Sequence, residues 1–184
     1  MLCHIEEYGK IVAVTGYKNA SFQRAEAFLK ESRKEAQVQF FEADLIATWE
    51  HLYFAALNAL RSFESGTNVS KSLAMETMLY ASAVRQIQKA IGRLGIKPKT
   101  TCMAVVVFGE SVAAVECVLG QVSVCLGVEP DETVLELGME KAAKIKEAFN
   151  ITDLELRTIA KNGDLNGALA NLVVERVALL ATQL

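Results

Sequence analysis

Apolar and polar positions alternate along "KIVAVTGYK" (10–18) and "QVQFFEADL" (37–45), with β-branched and aromatic residues enriched, which predicts two strands. "TCMAVVVFG" (101–109) is almost continuously apolar, as a strand buried on both faces would be. "TVLELG" (133–138) alternates more weakly and predicts a fourth strand. Between them the period lengthens to that of a helix. Phe22, Ala25, Phe28 and Leu29 mark one amphipathic helix over 21–35, and Leu52, Ala55, Ala56, Ala59 and Leu60 mark another over 48–64. "GTN" (66–68) ends the second, because Gly and Asn favour helix exits. Further helices are expected over 71–82, 110–119, 139–149 and 164–182. "TDLE" (152–155) has the spacing of a capping box, in which Thr152 accepts from the Glu155 amide and the Glu155 side chain reaches back. Helices outweigh strands and do not alternate with them one for one. The expected class is therefore α+β, with several helices packed on a small mixed or antiparallel sheet.

A further helix falls in "VRQIQKAIGRLGIKPK" (84–99). Ile87, Ala90, Ile91 and Leu94 recur at i, i+3, i+4 and i+7 and form one apolar stripe. Arg85, Lys89 and Arg93 are spaced by four and predict a ladder on another face, and Gly95 is placed to end the helix. The last helix is more apolar than one buried face requires. Leu165, Leu169, Leu172, Val173, Val177 and Leu180 form its stripe, and Val174, Leu179 and Ala181 widen it past half the circumference. Such a helix is either deeply buried or docked on another chain. Arg176 falls within that stripe and needs a carboxylate or carbonyl partner.

The length, 184 residues with 52% apolar, suits a single domain with a real core, and with two prolines and no Ser/Gly/Pro-rich run no linker is expected. The N-terminus lacks the basic-then-apolar pattern of a secretory signal, and no apolar window is long enough to span a bilayer, so a soluble, cytoplasmic protein is expected. Cys3, Cys102, Cys117 and Cys125 show no metal or redox spacing and are expected as reduced, mostly buried thiols.

Charge changes the picture more. The chain carries a net −3, but residues 71–99 hold six positive side chains against Glu76 alone, leaving −8 for the remainder. Like charges four apart on a helix repel by a few tenths of a kcal/mol each. An uncompensated ladder therefore suggests an anionic partner: phosphates, an acidic protein surface or an anionic membrane. A plain solvated face is the alternative. Tyr80, Gln86 and Gln88 add stacking and base-edge hydrogen bonding, which suits single-stranded or loop RNA better than a duplex.

Catalytic signatures are absent from the sequence: no P-loop, no G-x-G-x-x-G, no G-x-S-x-G and no zinc spacing. "EPDE" (129–132) is expected as a solvated loop. His51 is expected as a half-buried helix histidine. A stand-alone enzyme with a dispersed site would need His51, Glu76 and a thiol in mutual reach around a pocket.

Glu76, Leu79, Ala81, Ser82, Arg85-Gln86-Ile87 and Ala90, with His51 upstream and Val174-Glu175-Arg176-Val177 downstream, resemble the small accessory subunit of the KEOPS complex, the PRPK-binding protein family and its archaeal relatives. The resemblance covers most of the chain in order. It implies a non-catalytic protein without metal or nucleotide, whose partners are the kinase-like ATPase subunit of KEOPS and tRNA, including its single-stranded 3′ end, and not a membrane. The complex installs threonylcarbamoyl on the adenosine after the anticodon through another subunit. Carried over residue by residue, RNA contact falls on Arg85 and Gln86, and with the helical face on Lys89, Arg93 and Tyr80. Kinase docking falls on Leu172, Leu179 and Leu180. Ala83 departs from the glycine expected after Ala-Ser, and 121–138 is longer than the pattern expects.

Overall fold

The computed structural model describes residues 1–31 and 37–182. Strands β1 (Leu2–Ile5), β2 (Lys10–Tyr17), β3 (Gln37–Glu42) and β4 (Met103–Gly109) form an antiparallel sheet in the order β1-β2-β4-β3. The helices among the described residues are α1 (Phe22–Glu31), α2 (Trp49–Ser65), α3 (Leu73–Ala81), α4 (Ile87–Leu94), α5 (Val112–Leu126), α6 (Met139–Phe149), α7 (Asp153–Ile159) and α8 (Leu165–Leu180). The α+β expectation holds, with the sheet wholly antiparallel.

The period of two in β2 and β4 sorts their side chains onto two faces. Ile11, Ala13, Tyr17, Met103, Val105 and Val107 pack with α1 and α5. Val12, Val14, Ala104, Val106 and Phe108 pack with the other helices in a larger cluster. The two inner strands are therefore buried on both faces, which explains the continuous apolar run of β4.

Four details depart from the sequence pattern. β1 lies at the sheet edge, and its four residues are too few to show a period. β3 ends at Glu42, and 43–45 form a 3-10 turn. α5 runs seven residues past the expected 119, to Leu126, before Gly127 in left-handed geometry stops it. The expected strand at 133–138 is a 3-10 turn, Glu132–Leu135. That turn packs directly on β2, where the Asp131 amide donates to the Gly16 carbonyl at 2.8 Å. A Cβ at Gly16 would lie 2.1 Å from a Val134 methyl, so only glycine admits the approach. Residues 32–35, expected as the end of the first helix, lie outside the described residues, as do 183–184.

The capping box forms as expected, with Thr152 Oγ1 accepting from the Glu155 amide and Glu155 accepting from the Thr152 amide at 2.7 Å. Arg176 is half-buried and donates to Glu155 at 2.5 Å, so the carboxylate that closes the box also supplies the partner this arginine requires. Those hydrogen bonds, the Thr152 amide first and Arg176 next, hold the Glu155 carboxyl down to about 2.

Candidate functional site

The basic segment is built on the corner between α3 and α4. α3 starts on Ser72, whose hydroxyl caps the Met75 amide, and ends in a Schellman arrangement. The Val84 amide donates to the Leu79 carbonyl at 3.2 Å and the Ala83 amide to the Tyr80 carbonyl at 2.9 Å. This exit demands a left-handed residue, and Ala83 takes it with φ 51°. Ala83 thus stands where glycine would carry no steric cost. The chain then extends through Gln86 before α4 begins at Ile87.

That exit dismantles the expected ladder. Arg85 precedes the helix, half-buried, and does not share a helical face with Lys89 and Arg93. Lys89, Gln86 and Gln88 are exposed. Arg93 turns inward: its Nη1 donates to the Ser82 carbonyl at 2.7 Å and its guanidinium lies 5.8 Å from the Phe149 ring centroid. Partial burial lowers its pKa. Tyr80 is 6% exposed and packs in the larger core cluster, so its ring is not presented for stacking. The apolar stripe is also only half buried. Ala90 and Leu94 are inside, but Ile87 and Ile91 remain 36% and 39% exposed beside Lys89.

The resemblance constellation is largely a scaffold for this corner. His51, fully buried on α2, accepts from the Ala47 amide at Nδ1 (3.2 Å), which leaves its proton on Nε2 to donate to the Ala81 carbonyl at 2.8 Å. Desolvation lowers its pKa to about 4, so it is neutral at pH 7. Its ring meets Phe149 edge-on at 5.5 Å. His51, Phe149 and Arg93 therefore close a circuit through α2, α6 and α4 that grips the adjacent carbonyls of Ala81 and Ser82. Glu76, also buried, accepts from the Val69 and Ser70 amides at 3.1 and 2.7 Å and fixes the loop before α3. Both side chains hydrogen-bond backbone groups. Sequence spacing could not find this circuit, since its members lie up to 98 positions apart.

Beyond α4, Lys97 and Lys99 are exposed in a loop that Thr100 anchors: its hydroxyl accepts from the Lys97 amide at 2.8 Å and donates to Glu42. Among the described residues, Lys71, Lys89, Lys97 and Lys99 form no ion pair. The resulting surface is a fixed basic corner with an apolar isoleucine pair. No group of three or more His, Cys, Asp or Glu among the described residues is placed to hold a metal ion. The thiols are free but not deeply buried as expected: Cys3, Cys102 and Cys125 are half-buried and Cys117 is exposed.

On the final helix the buried alternative prevails for most of the face. Leu172 and Leu180 are 4% and 3% exposed, within the core, whereas Leu179 is 42% exposed. Of the three docking candidates, Leu179 alone offers its side chain to another chain. No helix among the described residues is long and apolar enough to cross a membrane.

Comparison with known proteins adds two findings. The family model for kinase binding protein CGI-121 matches residues 14–181. A regulatory protein, Cgi121 of Methanocaldococcus jannaschii, is 30% identical over 113 residues, covering 61% of this chain and 70% of that protein.

Proposed function

Because this chain belongs to the kinase-binding protein CGI-121 family, we propose that it is a non-catalytic subunit that binds the kinase-like ATPase of the KEOPS complex and helps recruit tRNA for N6-threonylcarbamoyladenosine synthesis in the cytoplasm. The observation that carries this reading is the family match across nearly the whole fold, including the α3–α4 corner and the final helix. The basic corner supports the RNA part, because exposed lysines that form no ion pair among the described residues suit phosphate contact. Lys89 is the leading RNA contact, with Gln86 beside it; Arg85 stands at the margin and Arg93 and Tyr80 support the corner from inside. The exposed Leu179 supports α8 as part of the kinase-binding surface, which Leu172 and Leu180 stiffen from beneath.

The test is reconstitution with the kinase-like subunit from the same organism and a tRNA transcript. The reading predicts co-elution with the kinase and a gel shift that weakens as salt rises. Failure to co-elute removes the kinase assignment. Co-elution without any contribution to tRNA binding makes the protein a purely protein-binding regulator, with the basic corner facing an acidic partner.

A further inference from the structure

The outer side of α2 carries a run of aromatic rings that the fold leaves half open. Trp49 and Tyr53 lie 5.8 Å apart between ring centroids, and Tyr53 meets Phe54 at 5.5 Å in edge geometry. Phe54 is 38% exposed, and Leu57 continues the strip one turn on. At the Trp49 end the strip opens into a hollow of about 210 Å³ lined by Met1, Trp49, Glu132, Leu135 and Glu136. Its walls are apolar and its rim is acidic. Glu132 is occupied by the Met1 ammonium at 2.6 Å. Glu136 is exposed and forms no ion pair among the described residues, and nearby Lys141 is turned inward, donating to the Val134 carbonyl at 2.7 Å.

We infer that this hollow and the α2 strip form a docking site for a protein segment that places an arginine side chain between Trp49 and Glu136 and lays flanking apolar residues over Tyr53 and Phe54. An indole face attracts a cation, and a guanidinium stacks on it while its edge donates to a carboxylate. Both features converge on one hollow, and aromatic side chains of this kind anchor interfaces. A partner with an acidic side chain here would be repelled by Glu136. The site is distinct from the basic α3–α4 corner and from Leu179.

Trp49 is the sole tryptophan of the chain, so its emission reports occupancy directly. The full chain is titrated with acetyl-Leu-Arg-Leu-amide and with acetyl-Leu-citrulline-Leu-amide, which keeps the shape and removes the charge. A saturable emission change is expected, with the arginine peptide binding about fivefold more tightly, the upper end for an exposed charge pair. Glu136→Gln should clearly reduce that preference, leaving the share due to the indole, with an unchanged melting temperature. Phe54→Ser should weaken both peptides and preserve it. No saturable change, equal affinity for the two peptides, or a preference undiminished by Glu136→Gln would overturn the proposal.

Discussion

Nε2 of His51, on α2, donates to the carbonyl of Ala81, the last residue of α3, across 2.8 Å of fully buried space. The bond spans 30 positions and ties the α3–α4 corner to the helix beneath it.

The first prediction concerns acid. His51 has a folded-state pKa of about 4, below its unfolded value near 6.5. Between those values the unfolded chain binds a proton that the folded chain refuses, so stability is whole above about pH 6.5 and declines as pH falls towards 4. The loss attributable to this one histidine is at most about 3 kcal/mol. Urea midpoints measured from pH 7 to pH 4.5 should fall, and His51→Asn should flatten that slope while lowering the curve as a whole.

Ala83 sits at φ 51° in the Schellman exit. Ala83→Gly relieves a left-handed strain of about 1 kcal/mol, partly offset by the greater freedom of glycine in the unfolded chain. A melting temperature raised by up to about 3 °C is expected by calorimetry. Ala83→Val should lower it, because a β-branched side chain tolerates this geometry worse.

Arg93 and Lys89, four apart on α4, should respond in opposite ways. Arg93→Ala leaves the Ser82 carbonyl without its charged donor and should cost about 1–3 kcal/mol of stability. Lys89→Glu should leave stability within about 0.5 kcal/mol of the parent. In a filter-binding or gel-shift titration with tRNA, Lys89→Glu together with Lys97→Glu should weaken affinity and reduce the salt slope by about one for each phosphate no longer engaged. Unchanged affinity at both low and moderate salt would sink the assignment of this face to RNA.

Neighbouring leucines of α8 offer a matched pair. Leu180→Asp buries a charge in the core and should abolish folding, whereas Leu179→Asp should remain folded and lose co-elution with the kinase-like subunit. A folded Leu179→Asp that still co-elutes would move the kinase surface elsewhere.

Much of the architecture was legible in the sequence because burial on two sides of a sheet and on one side of a helix leaves a period. β2, β4, α2, α6 and the Thr152 capping box all stood near their expected positions. The failures have local causes. The Arg85–Lys89–Arg93 ladder assumed one continuous helix, but the left-handed Ala83 breaks the chain just upstream and shifts the helix start to Ile87. The 133–138 strand failed because its alternation serves a turn lying flat on Gly16, a long-range approach that no local period reveals. For the site, exposed Lys89 and Leu179 followed from pattern. Leu172 and Leu180 lie on the apolar stripe that the pattern marked, and of its two alternatives burial holds; the inward roles of Arg93 and Tyr80 did not follow, since a face and its opposite carry the same spacing. The acidic hollow escaped notice because Trp49 and Glu136 meet only through tertiary packing.

The grip of His51 and Arg93 on the carbonyls of Ala81 and Ser82 has a calorimetric consequence. A corner already clamped by side chains from α2 and α4 has little left to order when an anion arrives. Its binding heat should therefore vary only weakly with temperature, the small heat-capacity change of a prebuilt polar surface, in contrast to the large negative value of a segment that folds as it binds.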